Sequence, residues 1–305
     1  MSSGSTTTIY QPVSGWQLLN IRELWKFREL LWYFAWRDVK VRYKQTVLGA
    51  AWAILQPFMM MIVFTVLFRR IGNVSSGDVP YPVFVFAGLV LWQFFASSVT
   101  SASNSVVSNG SVITKVYFPR LLVPLASMGV ALLDFAVACS LLVVLMLWYG
   151  VTSGTSLLLA PIAVLLCLIT ATGIGTLIAA LNVSFRDFRY TVPFLVQLWL
   201  FSTPSVYMDV SELTAAPTSS VQTSATESGG QPNSQEQAAP FLAAAKWGFI
   251  HLNPMTAIVA GFRGAALNQP IPTWLFLQAG VTAFTLLVVG LAVFRRAESK
   301  FADIV

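Results

Sequence analysis

Six long apolar segments constrain this chain more than any other feature of its sequence. They occupy positions 49–68, 83–101, 121–149, 157–181, 191–208 and 274–294, and Asp134 is the only charged side chain within them. A helix needs about 20 mostly apolar residues to cross the hydrocarbon core of a membrane. Strands of a membrane barrel are about ten residues long and alternate in polarity. The sequence therefore predicts an all-α integral membrane protein with six transmembrane helices.

The composition and the missing motifs argue against a soluble enzyme. Hydrophobic residues make up 56% of the chain and charged residues only 10%, whereas ordinary soluble domains are about 25% charged. The sequence has no phosphate-binding loop and no dinucleotide-binding fingerprint. Cys139, Cys167 and His251 form no ligand set for a metal. We therefore expect neither a catalytic residue nor a bound cofactor or metal in this chain.

The distribution of Lys and Arg predicts the orientation of the spans. Fourteen of the 18 basic residues fall before the first span, between spans two and three, between spans four and five, or in the C-terminal tail. They are Arg22, Lys26, Arg28, Arg37, Lys40, Arg42, Lys44, Lys115, Arg120, Arg186, Arg189, Arg295, Arg296 and Lys300. Basic loops remain in the cytoplasm. We therefore expect both termini to be cytoplasmic, in a multi-pass protein of the cytoplasmic (inner) membrane.

The segment before the first span is predicted to be a basic, amphipathic interface helix. One apolar stripe at helical spacing consists of Leu24, Phe27, Leu31 and Phe34. Trp25, Trp32, Tyr33 and Trp36 add aromatic side chains of the kind found at membrane interfaces. Such a helix is expected to lie in the headgroup layer with its apolar stripe toward the lipid. The alternative is that it only fixes orientation by its positive charge.

The stretch after the fifth span has two different parts. Positions 209–240 are rich in Ser, Thr, Gln, Ala and Pro without apolar periodicity, which predicts a disordered external insertion. Two apolar runs follow, at 241–250 and 255–267, and each is too short to span a membrane. Pro254 disfavours a helical conformation at Asn253, so we expect two short re-entrant helices there. Counting them as a seventh span would place the basic tail outside.

These features divide the chain into seven parts. They are a flexible N-terminal tail (1–17), the interface helix (18–48), spans one to five (49–208), the external insertion (209–240), the re-entrant helices (241–270), span six (271–294) and a cytoplasmic tail (295–305).

Two features within the spans have more than one interpretation. Asp134 is either a functional group or a carboxyl that is hydrogen-bonded to Ser, Thr or backbone of a neighbouring span. Small residues recur at every fourth position of span four, at Cys167, Ala171, Gly175 and Ala179. This stripe predicts close helix packing without identifying the partner helix.

Four blocks of sequence carry a family resemblance. They are WRDVKVRYKQTVLGAAWAILQP (36–57), KVYFPRLLVPLA (115–126), LNVSFRDFRYTVPFLVQLWLFSTPSVY (181–207) and HLNPMTAIVAGFRGAAL (251–267), and the chain ends in ESKFADIV. The sequence resembles the permease subunits of ATP-binding-cassette exporters for polysaccharides, the class that exports O-antigen, capsular polymers and teichoic acids. The insertion at 209–240 is longer than the family pattern at that position.

The resemblance implies a homodimer with two cytoplasmic ATPase subunits, which would bind ATP and Mg. It also implies a lipid-linked glycan as substrate, with no role for nucleic acid. Two loops would contact the ATPase through Lys115, Tyr117, Phe118, Arg120, Arg186 and Asp187. The re-entrant helices would form an external gate, which contains Asn253, Pro254 and Arg263.

Aromatic and amide side chains suggest a path for the glycan. Sugar rings carry C–H faces that pack against aromatic planes, while their hydroxyl groups need hydrogen-bonding partners. The candidates in span one are Trp52, Gln56 and Phe64, and those in and after span five are Phe194, Gln197, Phe201 and Tyr207. We predict that these faces meet across the dimer and line the path. The alternative is that they face lipid or neighbouring helices.

The function predicted from the sequence is the membrane permease of an ATP-driven exporter that moves a lipid-linked polysaccharide of the O-antigen, capsule or teichoic-acid type. One alternative is an ion-coupled secondary transporter, which would require inverted repeats and buried ion ligands. Another is a drug-efflux permease of the same superfamily. A membrane-bound glycan-modifying enzyme would need paired carboxylates, which Asp134 alone does not supply.

Overall fold

The computed structural model describes residues 21–44, 49, 51–71, 79–185, 187–208, 253–298 and 301, and its regular structure is helical throughout these ranges. The α-helices are α1 (Ile21–Lys26), α2 (Arg28–Lys44), α3 (Ala51–Ile71), α4 (Tyr81–Ser108), α5 (Gly110–Ile113), α6 (Leu122–Tyr149), α7 (Ala160–Ser184), α8 (Phe188–Phe201), α9 (Pro254–Leu267) and α10 (Thr273–Glu298). Two 3₁₀ turns lie at Thr155–Leu159 and Pro204–Val206. The all-α prediction is confirmed. The tail at 1–17, the insertion at 209–240 and the first re-entrant segment at 241–250 lie outside the described residues.

Among the described residues, five helices are long and apolar enough to cross a membrane, namely α3, α4, α6, α7 with its preceding 3₁₀ turn, and α10. They coincide with predicted spans one, two, three, four and six. The fifth predicted span, 191–208, is not one continuous helix. Its helix α8 has 14 residues and is about 21 Å long, which is shorter than the hydrocarbon core of about 30 Å. Thr203 precedes Pro204, and a residue before proline avoids the helical conformation.

The segment after α8 continues across the bundle although it is no longer α-helical. It contains the 3₁₀ turn Pro204–Val206 and reaches the first turns of α4. There the Tyr81 hydroxyl donates a hydrogen bond to the backbone oxygen of Tyr207 at 3.0 Å. A Cβ added to Gly88 would lie 2.7 Å from the backbone oxygen of Val206, so only glycine allows this approach. Helix α8 and its turn together therefore extend from one end of the bundle to the other.

Helix α4 is the centre of the bundle. It contacts α3, α6, α7, α8 and α9, and most of its residues are buried. A helix that is apolar on all sides is typical of such a central position.

The stripe of small residues on α7 packs on α4 at Gly175. Cys167, Ala171, Gly175 and Ala179 are all buried, and a Cβ added to Gly175 would lie 2.7 Å from the Cβ of Ala102 in α4. This result confirms the predicted close packing and identifies the partner helix.

Helices α7 and α10 approach each other through two glycines that lie outside that stripe. A Cβ added to Gly173 would lie 2.6 Å from the backbone of Leu286. A Cβ added to Gly290 would overlap the carbonyl oxygen of Gly173. Side-chain-free surfaces of this kind allow the van der Waals contact that drives helix association in membranes.

One end of the bundle carries Lys115, Arg120, Arg189 and Arg295, and we call it the basic end. The ends of four helices meet there in an apolar cluster that includes Val106 of α4, Leu122 of α6, Val183 of α7 and Phe294 of α10. At the opposite end α4 and α10 begin and α6 terminates.

The juxtamembrane segment differs from its prediction. It forms two helices, α1 and α2, and its apolar stripe packs on the protein. Phe34 is buried, and Leu24, Phe27 and Leu31 contact the same apolar cluster at the basic end. The prediction that this stripe faces lipid is therefore wrong, because the start of α6 and the loop before it offer an apolar surface that covers it. The aromatic residues Trp25, Trp32, Tyr33 and Trp36 remain exposed.

The contact between α7 and α10 can be tested with two alanine substitutions in one helix. Gly290→Ala should destabilise the protein by about 1–3 kcal/mol, because the new methyl group overpacks against Gly173. Gly280→Ala is the matched control, since its added Cβ would have Leu166 Cδ2 as nearest neighbour at 3.8 Å. The control should be neutral or gain up to about 1 kcal/mol from helix propensity. Thermal unfolding of the purified protein in detergent measures both, and equal unfolding temperatures would contradict this packing.

Candidate coupling, gate and translocation sites

The predicted coupling residues in the loop before α6 fall into two groups, one exposed and one packed on the protein. Lys115 and Tyr117 are exposed, and 66% of the Tyr117 surface is accessible. Phe118 is buried and meets Phe34 of α2 edge-on, with ring centroids 5.5 Å apart. The Arg120 guanidinium donates to the backbone oxygen of Glu298. Phe118 and Arg120 therefore fix the loop to α2 and α10, while Lys115 and Tyr117 project from it.

The loop between α7 and α8 lies at the same end of the bundle. Asp187 precedes the first turn of α8 and is exposed, whereas Arg186 lies outside the described residues. The end of α7 is fixed to α4 by the buried amide of Asn182, which donates to the backbone oxygen of Ser103 at 2.9 Å. Both loops thus extend from helices that are held to the central helix α4.

Asp134 is held by the juxtamembrane helix. Its Oδ1 accepts a hydrogen bond from the Tyr43 hydroxyl, and its Oδ2 lies 3.0 Å from Arg42 Nη2. The expectation of a Ser, Thr or backbone partner on a neighbouring span is therefore wrong. The pKa of Tyr43 is raised to about 12. Burial of the hydroxyl is the largest cause, and the hydrogen bond to Asp134 and the negative charge of Asp134 add to it. The Tyr43 hydroxyl therefore remains a protonated donor at neutral pH.

A small cavity of about 40 Å³, with both polar and apolar lining residues, lies beside this ion pair. That volume accommodates a few water molecules. Its lining residues are Arg42, Trp52, Ala53, Gln56, Val90, Gln93, Phe94, Ser97, Ala131, Asp134, Phe135 and Ala138. The fold thus brings two predicted path residues of α3, Trp52 and Gln56, next to the charged pair of Arg42 and Asp134.

The other predicted path residues occupy two different environments. Phe194, Gln197 and Phe201 are exposed on α8. Phe64 is buried and stacks on Tyr207, with ring centroids 5.7 Å apart. The end of α3 and the segment after α8 therefore meet within a single chain. The role of all these residues in a path remains a prediction.

Helix α9 is buried along its whole length. The amide of Asn253 joins it to the end of α8. Its oxygen accepts from the Met255 backbone N–H and from Trp199 Nε1, both at 3.1 Å. Its nitrogen donates to the Ser202 backbone oxygen at 3.1 Å and to Thr203 Oγ1 at 2.8 Å. Asn253 is thus the N-cap of α9, and Pro254 occupies the first turn, where a missing N–H costs no hydrogen bond.

Arg263 places a positive charge inside the protein. Its Nη1 donates to the backbone oxygen of Ser205 at 2.6 Å. Its guanidinium carbon lies 3.7 Å from the centre of the Phe84 ring, an arrangement that stabilises a cation. Arg263 therefore fastens α9 to α4 and to the 3₁₀ turn after α8.

Several residues at these sites were not identified from the sequence. They are Arg42, Tyr43, Gln93, Trp199 and Glu298. The Tyr43–Asp134 contact joins residues 91 positions apart, so the local spacing of residues could not predict it. The sequence indicates only that Asp134, within a predicted span, needs a hydrogen-bonding or charged partner. Among the described residues no group of three or more His, Cys, Asp or Glu side chains could hold a metal.

Three curated relatives illustrate what the chain is similar to. It is 28% identical to the O-antigen export system permease protein RfbA of Myxococcus xanthus over 284 residues, which cover 93% of this chain and 98% of that protein. It is 27% identical to RfbA of Klebsiella pneumoniae, covering 88% of this chain and 92% of that one. The polysialic acid transport protein KpsM of Escherichia coli is 24% identical over 53% of this chain and 63% of its own length.

A family model agrees with these relatives. The model of the ABC-2 type transporter matches residues 29–210, from the start of α2 to just beyond the 3₁₀ turn that follows α8. The matched region includes both predicted coupling loops, the Asp134 ion pair and all the predicted path residues. Because this match covers more than half of the chain, the protein belongs to the ABC-2 type transporter family of membrane permeases.

Proposed function

We propose that this chain is the membrane permease of an ATP-driven exporter that moves a lipid-linked polysaccharide, of the O-antigen, capsule or teichoic-acid type, across the cytoplasmic (inner) membrane. The observation that carries this proposal is the similarity to the O-antigen export permease of Myxococcus xanthus over almost the whole of both chains. The similarity to a polysialic acid transport protein supports the same class of cargo. The chain belongs to a family of transporters, so we expect no enzymatic activity from it alone.

The proposed topology has six spans with both termini in the cytoplasm. Helix α8 with its following turn is the fifth span, which is supported by the contact between Tyr207 and the start of α4. Segment 241–250 and α9 form the re-entrant pair. In support, α9 begins next to Trp199, which packs on Phe95 near the middle of α4. Its other end lies against the turn before α7, where Ser156 donates to the backbone oxygen of Ala265.

The proposed assembly contains two copies of this chain and two cytoplasmic ATPase subunits, which bind ATP and Mg. Lys115, Tyr117 and Asp187 are the exposed residues at the basic end that would contact the ATPase. Phe118 and Arg120 would transmit its movement to α2 and α10. Arg186 is part of the same proposal.

The glycan path is proposed along the exposed faces of α3 and α8. Helix α8 packs on its own protomer mainly through Val192, Val196 and Leu200, so its other faces are available to a second copy or to substrate. Gln56 and Gln197 are exposed amides, and an amide that faces hydrocarbon has no hydrogen-bonding partner. Their position is better explained by a polar path than by contact with lipid.

Deletion of this chain tests the function as a whole. Cells without it should accumulate lipid-linked polysaccharide at the inner face of the membrane and lose that polysaccharide from the cell surface. Re-expression should reverse both effects. Lipid extracts and surface staining for the polymer provide the measurements. Normal surface polysaccharide in the deletion strain would contradict the proposal.

If the exposed loop residues contact the ATPase, substitutions there should reduce export without reducing the amount of permease in the membrane. Tyr117→Ala and Asp187→Lys should reduce export and co-purification of the ATPase while leaving permease abundance unchanged, because both side chains are exposed. Trp148→Ala, which changes an 84% exposed aromatic at the opposite end of the bundle, is the control and should retain both properties. Wild-type export by the Tyr117 and Asp187 variants would show that the ATPase binds elsewhere.

If the glycan path follows α8, substitution of two similarly exposed phenylalanines should affect the export rate unequally. Phe201 and Phe284 have 57% and 62% of their surfaces accessible, on α8 and α10 respectively. Phe201→Ala should lower the export rate roughly two- to tenfold, the factor that corresponds to one lost aromatic contact. Phe284→Ala should have no effect, since α10 is not part of the proposed path. Equal export rates in the two variants, at matched expression, would place the path elsewhere.

A further inference from the structure

The exposed side of α2 carries aromatic and basic residues at every fourth position. They are Trp32, Trp36, Lys40 and Lys44, which fall on one face of a helix. The two indole rings are stacked, with centroids 6.2 Å apart and an interplanar angle of 9°. The Lys40 ammonium lies 5.5 Å from the centre of the Trp36 ring. We call these four residues, with Tyr33, the aromatic–basic face.

The lysines of this face have positive charge available to a ligand. Arg37, on the edge of the face, is already paired, because its guanidinium lies 2.7 Å from Asp38 and donates to Asn109 at 2.6 Å. No acidic side chain pairs with Lys40 or Lys44 among the residues that the structure describes. Glu29 is the nearest acid along this side of the helix. It precedes Lys40 by eleven positions, or about 16 Å.

The face also has a suitable shape and location. A groove of about 350 Å³ runs along it, lined by Tyr33, Trp36, Arg37, Lys40, Val41 and Lys44. Sites for small molecules have volumes of about 300–1,000 Å³. The apolar side of α2 is buried against α6, and α2 ends just before the membrane-spanning helix α3. The aromatic–basic face therefore lies where the first span enters the membrane.

We propose that the aromatic–basic face binds the headgroup of an anionic phospholipid of the cytoplasmic leaflet. Trp and Tyr are the residues that occupy the headgroup layer, and the two lysines complement the negative charge of that leaflet. The stacked indoles hold Lys40 in place through its contact with Trp36, which keeps its ammonium at the level of the phosphates. This inference does not depend on what the protein exports.

Lipid binding by the full-length purified protein tests this site without the ATPase or the glycan. The protein in detergent is titrated with phosphatidylglycerol and with phosphatidylcholine of the same acyl chains, and bound lipid is counted by native mass spectrometry. The wild type should prefer phosphatidylglycerol. Lys40→Gln/Lys44→Gln should lower the association constant for phosphatidylglycerol about 25-fold, since each basic residue contributes about fivefold at such a surface. Its binding of phosphatidylcholine should not change.

Two further variants make the result specific. Arg22→Gln/Lys26→Gln removes the same charge from the exposed side of α1 and should retain most of the preference. Lys40→Arg/Lys44→Arg keeps the charge in place and should also retain it. Equal losses in the α1 and α2 pairs would overturn the proposal, because the effect would then be net charge alone. An unchanged lipid preference in Lys40→Gln/Lys44→Gln, with loss of ATPase co-purification, would also overturn it and assign the face to the ATPase.

Discussion

Water is absent from the hydrocarbon core of a membrane, so polar groups placed there need partners within the protein. Helix α9, which we propose to be re-entrant, has such partners for two of its polar side chains. Asn253 uses both the oxygen and the nitrogen of its amide to join α8 to α9. Arg263 directs its charge to a backbone oxygen and to the face of Phe84. These two side chains allow a short, fully buried helix to lie against α4, and they connect it to the end of α8 and to the 3₁₀ turn that follows.

The same constraint connects the juxtamembrane helix to the bundle. Asp134 is the one acid within the predicted spans, and its partners Tyr43 and Arg42 come from the end of α2. Phe34 packs on Phe118 at the basic end of the bundle. Helix α2 is therefore attached at two points, one beside the loop before α6 and one beside the middle of α6. A force applied to the exposed side of that loop would reach α2 and α6 together, which agrees with the proposed coupling to an ATPase.

The helices of the bundle differ in how closely they pack on their neighbours. Helix α7 packs closely on α4 and on α10, and Gly173 and Gly290 are the most constrained residues of the contact between α7 and α10. Helices α3 and α8 lie at the periphery and leave large aromatic and amide side chains exposed, among them Gln56 and Phe201. The exposure of these side chains is compatible with a path that forms between two copies of the chain, as proposed above.

The sequence by itself determined the all-helical class, the position of five spanning helices and the small-residue face of α7. Those properties depend on apolar length and helical periodicity, which are local. The predicted resemblance to polysaccharide exporters also agrees with the family and relatives found here. Only the tertiary structure decided which side chains pack against one another. In it, the apolar stripe that contains Phe34 packs on the protein, Asp134 pairs with Tyr43, and Arg263 is buried. Each of these contacts joins residues that are far apart in the chain. The free energy of each contact depends on how several helices together exclude water from it. A local sequence pattern therefore cannot predict these contacts.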